Sequence, residues 1–307
     1  MPLNCDDHDL AEQSDEVATS SSYVRVVARE AMLMTPVLDG LGPLTARKPL
    51  PEIYEHILKC DQDMRLLVQS VPSFLIRDRD LGAPEGAPWI QTARRTLAIS
   101  AADKIIMMHR PVLFYSFSNP AFSATRTTCT AAAVTILREH EQAAADGTLS
   151  IWTQSAFCIT AAMVLGLGLL YRDSHADEQA SEHRQMLARA AIRLRARRCD
   201  ILAAKAARLI DVFLAVEEDL VIRAMRKRGG SVAEAQREAV AEMIQSQEIL
   251  TRFLDFGTDL HALDAVGPSP ASIDSFDLAS FPVDTATEDF EAWFQTVFAP
   301  VYPGYIG

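Results

Sequence analysis

The chain has 307 residues, 29 basic against 41 acidic, and a formal net charge of −12. A chain of that length buries roughly 75% of the surface its unfolded form exposes, so a core can form without disulfide or metal staples. The acidic balance repels polyanions, which argues against direct nucleic-acid binding unless a local basic patch overrides the global field.

Residues 1–21, rich in Asp, Glu and Ser, hold few apolar groups to offset the entropy of ordering, and the composition predicts a disordered acidic tail. They show neither a basic leader nor an apolar stretch of secretory type, which makes cytoplasmic the expected location. From residue 22 to 307 the pattern reads as a single helical domain. Val24, Val27, Ala28 and Ala31 keep helical spacing until Pro36, after which breakers predict a loop through Pro51. A second helix is expected from about Glu52 to Val71, with Ile53, Ile57, Cys60, Met64 and Leu67 on one face, ended by Pro72.

Ser73 to Pro88 reads as loop, and its Arg77 to Asp80 charges as a solvated turn. A strong helix follows from about Gln91, which Pro111 should kink or restart. After a loop at Ser116 to Ser123 come a helix from Thr125 to Ala145 and a 21-residue uncharged stretch from Ile151 to Tyr171. That stretch has the length of a membrane span. Thr153, Gln154, Ser155 and Thr160 dilute it, so it is expected to be a buried central helix without a membrane role.

Residues 177–228 are too long for one globular helix and should break near Cys199-Asp200. Ser231, with Glu234 three residues on, opens a helix to Gly257. Residues 258–286 read as extended, and residues 287–298 as a short aromatic helix carrying Trp293. The sum is an all-α, multi-helix bundle of eight or nine helices and no sheet.

The five cysteines, at 5, 60, 129, 158 and 199, lack paired spacing and read as reduced core thiols. No third ligand stands near His175 and His183, and no phosphate loop, nucleophile elbow or carboxylate pair is visible. Neither a metal nor a cofactor is expected.

Two passages carry a resemblance. Tyr54 to Leu75, and Thr96 to Phe114 followed by Ser123 to Leu137, resemble the regulatory middle homology domain of fungal zinc-cluster transcription factors. The His-Arg-Pro at 109–111, then Arg126 and Cys129 opening an alanine-rich helix, is the most telling part. The resemblance implies a helical bundle with an apolar interior that takes a small-molecule ligand or substrate. The five cysteines cannot form the six-cysteine zinc cluster that reads DNA in those regulators, so a stand-alone domain is expected. The related stand-alone hetero-Diels–Alderases of tropolone sesquiterpenoid biosynthesis are the second resemblance.

Two functions lead, ahead of a scaffold with no ligand. One is a cofactor-independent fungal enzyme that promotes a hetero-Diels–Alder cycloaddition by holding two apolar partners in register and donating a hydrogen bond to a carbonyl. The other is a ligand-sensing transcriptional regulator, or a fragment of one, for which the location would be nuclear. Candidate catalytic groups are His109, Arg110 and Tyr115, placed where the helix must kink. The structural use, with Arg110 pairing a helical carboxylate and His109 capping freed carbonyls, is the simpler reading of the same residues. Trp89, Phe117, Phe122, Arg126, Trp152, Tyr171 and Trp293 are candidate pocket residues, with core packing as the alternative use. Gly166 and Gly168 in the apolar helix call for close packing or room for a ligand. The basic run at 193–198 reads as a solvated face balanced by Glu217, Glu218 and Asp219.

Overall fold

A computed structural model describes residues 1–41, 48–76, 89–145, 152–171 and 178–226. Among these there are eight α-helices and no strand: α1 (Ser22–Leu41), α2 (Leu50–Gln69), α3 (Trp89–Leu113), α4 (Tyr115–Ser118), α5 (Ser123–Ala145), α6 (Trp152–Leu170), α7 (Glu178–Arg195) and α8 (Ile201–Arg226). Two short 3-10 turns, Ser73–Leu75 and Pro120–Phe122, follow α2 and α4. The helices expected at 231–257 and 287–298, the extended segment between them, the Arg77 to Asp80 run and Trp293 lie outside the described residues.

The break expected at Pro36 does not occur, and the restart expected at Pro111 falls just beyond it. α1 runs through Pro36 to Leu41, and α3 runs through Pro111, stops at Leu113 and resumes as α4 after Phe114. Each proline deprives the carbonyl four residues earlier of its donor. Those residues are Met32 and Met107, 65% and 38% exposed, so the orphaned carbonyls stand on the wet side of their helices. Water can serve a carbonyl there, so the cost of continuing is small. Accordingly the loop expected at 116–123 is largely helical, as α4 and a 3-10 turn.

The chain divides into two compact units, Met1–Leu165 with Ile192–Ala206, and Gly166–Ala191 with Ala207–Gly307. In the first, α3 and α5 form the most extensive pairing, with α1 and α2 against α3. Small buried side chains on both partners, Ala102 on α3 and Ala132 and Ala133 on α5, allow a close approach. Met34, Val37, Cys60, Met64 and Met108 make one apolar cluster between α1, α2 and α3. Val26, Phe74, Leu75, Ile90, Ala93 and Leu97 make a second.

The first 21 residues, read from composition as a loose tail, carry an organised hydrogen-bond set around Asn4, which is 1% exposed. Its side chain donates to the carbonyls of Ser14 and Val17 and accepts from the hydroxyls of Thr19 and Ser22. Asp15 pairs with both Arg25 and Arg29 of α1 at 2.8 Å. These are polar ties, to which apolar content is blind.

In the second unit, Leu187, Leu209, Ile210, Phe213 and Val216 are fully buried. Gly166 packs directly on Phe213: a Cβ there would stand 2.3 Å from the ring. Gly168 has nothing within 4 Å of the same position. Close packing therefore explains the first glycine and not the second. α6 is the one described helix long and apolar enough to cross a membrane, and 83% of its apolar window is buried within the protein.

Candidate functional site

The His-Arg-Pro motif ends α3 with His109 turned inward, at 1% exposure. Its ring does not cap a helix end. Nδ1 lies 3.1 Å from the Thr125 hydroxyl on α5, and Nε2 lies 3.6 Å from Asp61 Oδ1 on α2. The second separation is longer than a hydrogen bond. Neither Nε2 nor Oδ1 has another partner, so each faces the other. With the Thr125 hydroxyl donating to Nδ1, the ring carries its proton on Nε2, towards the carboxylate.

Asp61 is completed by Arg65, one turn on, whose Nε donates to Oδ2 at 2.8 Å. Burial works against the ionised Asp61 carboxylate. The hydrogen bond and charge of Arg65, with the His109 Nε2–H facing Oδ1, outweigh it and hold the carboxyl below its ordinary range. Cys129 stands beside this group on α5, and burial, reinforced by the Asp61 charge, pushes its thiol far up. It is no reactive thiolate.

Carboxylate, imidazole and hydroxyl thus stand in series across α2, α3 and α5, the order a proton relay would use. Asp61 is 8% exposed and Thr125 fully buried, however, so nothing outside reaches the hydroxyl in this arrangement. What the series does is fix which faces of three helices meet.

Arg110 lies half-buried on the next position, and its charge, with that of Lys104, acts on Asp103 of the same helix. Burial dominates there and pushes the Asp103 carboxyl up to about 6, against a hydrogen bond from Thr160 and those two charges. Tyr115 and Phe122 do come together, with ring centroids 6.4 Å apart. Tyr54 of α2 joins them edge-on to Phe122 at 4.9 Å. This small aromatic wall closes over Ile57 and Val112. Phe117 is buried, and Trp89 packs against the cluster around Val26 and Phe74. Arg126 and Trp152 are exposed. Tyr171 belongs to the other unit, where burial raises its hydroxyl to about 12.

Two further buried polar ties were not singled out by sequence. Glu30 of α1, 2% exposed, accepts from Ser100 at 3.0 Å and Lys104 at 2.8 Å on α3. In the second unit Glu217, 4% exposed, takes the forked guanidinium of Arg184, with Nε at 2.9 Å from Oε2. Glu217 thus ties α8 to Arg184 of α7. Within the 193–198 run Arg193 pairs with Glu141 at 2.7 Å and Arg197 with Asp200 at 2.8 Å. Cys60, Cys129 and Cys158 are buried free thiols as expected, while Cys199 is exposed between α7 and α8. Among the described residues no group of three His, Cys, Asp or Glu is placed to hold a metal.

No family model and no solved structure matches the chain. A curated protein does. The chain is 29% identical over 194 residues to the protein named "Pyrrolocin cluster transcription factor fsdR" of Fungal sp. (strain NRRL 50135), covering 60% of this chain and 25% of that protein. The chain thus spans about a quarter of the length of the curated relative it matches.

Proposed function

We propose that the chain is a regulatory domain of the kind carried by fungal gene-cluster transcription factors, a helical bundle that senses a small-molecule ligand and passes the signal to transcription. The similarity over 194 residues to a named cluster transcription factor is the observation that carries this reading. Net charge supports the same division of labour. At −12 the domain is a poor direct ligand for DNA, so the DNA contact belongs to an element outside these 307 residues.

The buried ties suit such a role. A charge between helices costs desolvation unless its partner is in place, so each pair holds one packing and makes its loss a discrete event. Glu30 with Lys104, and Asp61 with His109, are built this way within one unit. The cycloaddition reading draws no comparable support, because His109 is buried and turned to Asp61 and Thr125.

Fusing the 307 residues to a heterologous DNA-binding domain tests the proposal in a reporter strain. Reporter output should change several-fold relative to the DNA-binding domain alone, and should respond to culture extract of the organism that carries the gene. An unresponsive reporter, together with conversion of an extract component by the purified protein, would overturn it in favour of an enzyme.

A further inference from the structure

Arg193, in the last turn of α7, gives only one of its nitrogens to Glu141, Nη1 at 2.7 Å. Its Nε and Nη2 are buried and have no hydrogen-bond partner. Those two N–H groups point the same way along one edge of the guanidinium, the edge that takes both oxygens of a planar carboxylate side-on. One residue before Glu141 on α5 stands His140, 3% exposed, with Nδ1 also buried and unpartnered. Arg193 is close enough, with Arg197, to act on the His140 ring, which burial first and these two charges next hold down at about 4. The imidazole is therefore neutral and offers Nδ1–H in one of its tautomers.

Native proteins seldom leave buried polar nitrogens such as these three unpartnered. The local carboxylates are already committed: Glu141 to Arg193 Nη1, and Asp200 to the Ser155 hydroxyl, to Arg197 and, at 3.0 Å, to the Ala203 amide that opens α8. All of these groups belong to one compact unit.

We infer that Arg193 and His140 form a binding site for the carboxylate of a small-molecule acid, held side-on by Arg193 Nε and Nη2 and completed by His140 Nδ1. The fork is covered in this arrangement, while the Arg193 side chain as a whole keeps 19% exposure, so the way in from the surface is short. Entry parts the ends of α5 and α7 locally. That movement is what a sensor needs, so the site deepens the proposed regulatory role by naming the polar group of its ligand.

Binding is read on the purified full chain by the Nε–H resonance of Arg193, assigned by its loss in Arg193→Lys. Butyrate is the probe, and butyramide, of the same shape without the charge, the control. Butyrate should displace the resonance saturably at constant ionic strength, and butyramide should not. Arg193→Lys keeps a cation for Glu141 and removes the fork. It should weaken butyrate binding, followed by thermal stabilisation, roughly tenfold or more. His140→Phe should weaken it less. No saturable displacement by butyrate, equal displacement by butyramide, or undiminished binding to Arg193→Lys would each overturn the site and leave water as the occupant of the fork. The comparison of the two probes on the unaltered chain stands even where a variant fails to fold. A negative result there leaves the reporter test of the regulatory role untouched.

Discussion

The two glycines of α6 should answer oppositely to the same substitution. Replacing glycine by alanine inside a helix gains about 1 kcal/mol from backbone entropy when the added methyl meets nothing. At Gly168 nothing lies within 4 Å of the new Cβ, so Gly168→Ala should stabilise by about that amount. At Gly166 the Cβ would stand 2.3, 2.5 and 2.6 Å from Cγ, Cδ2 and Cδ1 of Phe213. These atoms form the base of the ring, and Phe213 is fully buried, so the ring must shift as a body. Overpacking of that kind costs about 1–3 kcal/mol, with more at such short distances, and outweighs the entropic gain. The variants should therefore straddle the parent chain in urea midpoints with unchanged slopes. If Gly166→Ala is as stable as the parent, the packing account of that glycine is wrong. A destabilised Gly168→Ala would mean that its space is occupied.

Other expectations concern the buried ionisable groups. Asp61→Asn weakens the tie to His109 and Arg65 and should cost about 1–3 kcal/mol at neutral pH. Since the folded carboxyl lies below its ordinary value of 3.8, this stabilisation is present above that value and is lost as pH falls through the folded pKa. The parent-to-variant gap in thermal melts should thus close in acid. For His140, moved from 6.5 to about 4, the unfolded chain takes up a proton that the folded one refuses, so stability falls as pH drops through that window. The gap corresponds to roughly 3 kcal/mol. His140→Phe should show a flatter pH profile between those values than the parent, and an equally steep profile would refute the assignment. Asp103, raised to about 6, has the opposite sign: its penalty is full above that pH and relieved below it. Asp103→Asn should stabilise by about 1–2 kcal/mol at neutral pH, discounted for partial exposure, with the gain shrinking towards the ordinary carboxylate value.

Most of the helical architecture among the described residues was legible in the sequence. Apolar spacing marked α2, α5 and α6, and the break between α7 and α8 fell at 196–200, where Cys199-Asp200 suggested it. Asp200 accepts the Ala203 amide there and so starts the next helix. Pro36 misled because a proline's effect depends on which side of the helix its orphaned carbonyl faces, and that is a property of the packed bundle. The polar cluster was half legible. His109 stood out through its motif, whereas Asp61 and His140 were passed over. Both carried a signal, a titratable residue on a stripe otherwise apolar: Ile57, Cys60 and Met64 flank Asp61, and Ala133, Ile136 and Leu137 precede His140. Which charge each meets is a matter of long-range packing, since the partners of His109 lie 48 residues before it, at Asp61, and 16 after, at Thr125. The ring group at Tyr54, Tyr115 and Phe122 was found in two of its three members because those two are neighbours in sequence.

The regulatory reading makes its sharpest claim about transcripts. In the organism that carries the gene, deleting it should lower or raise the transcripts of the adjacent biosynthetic genes several-fold, and restoring the unaltered chain should reverse the change. Unchanged transcripts in the deletion strain, with an unreacted intermediate accumulating in the culture, would contradict the account and return the chain to the enzymes.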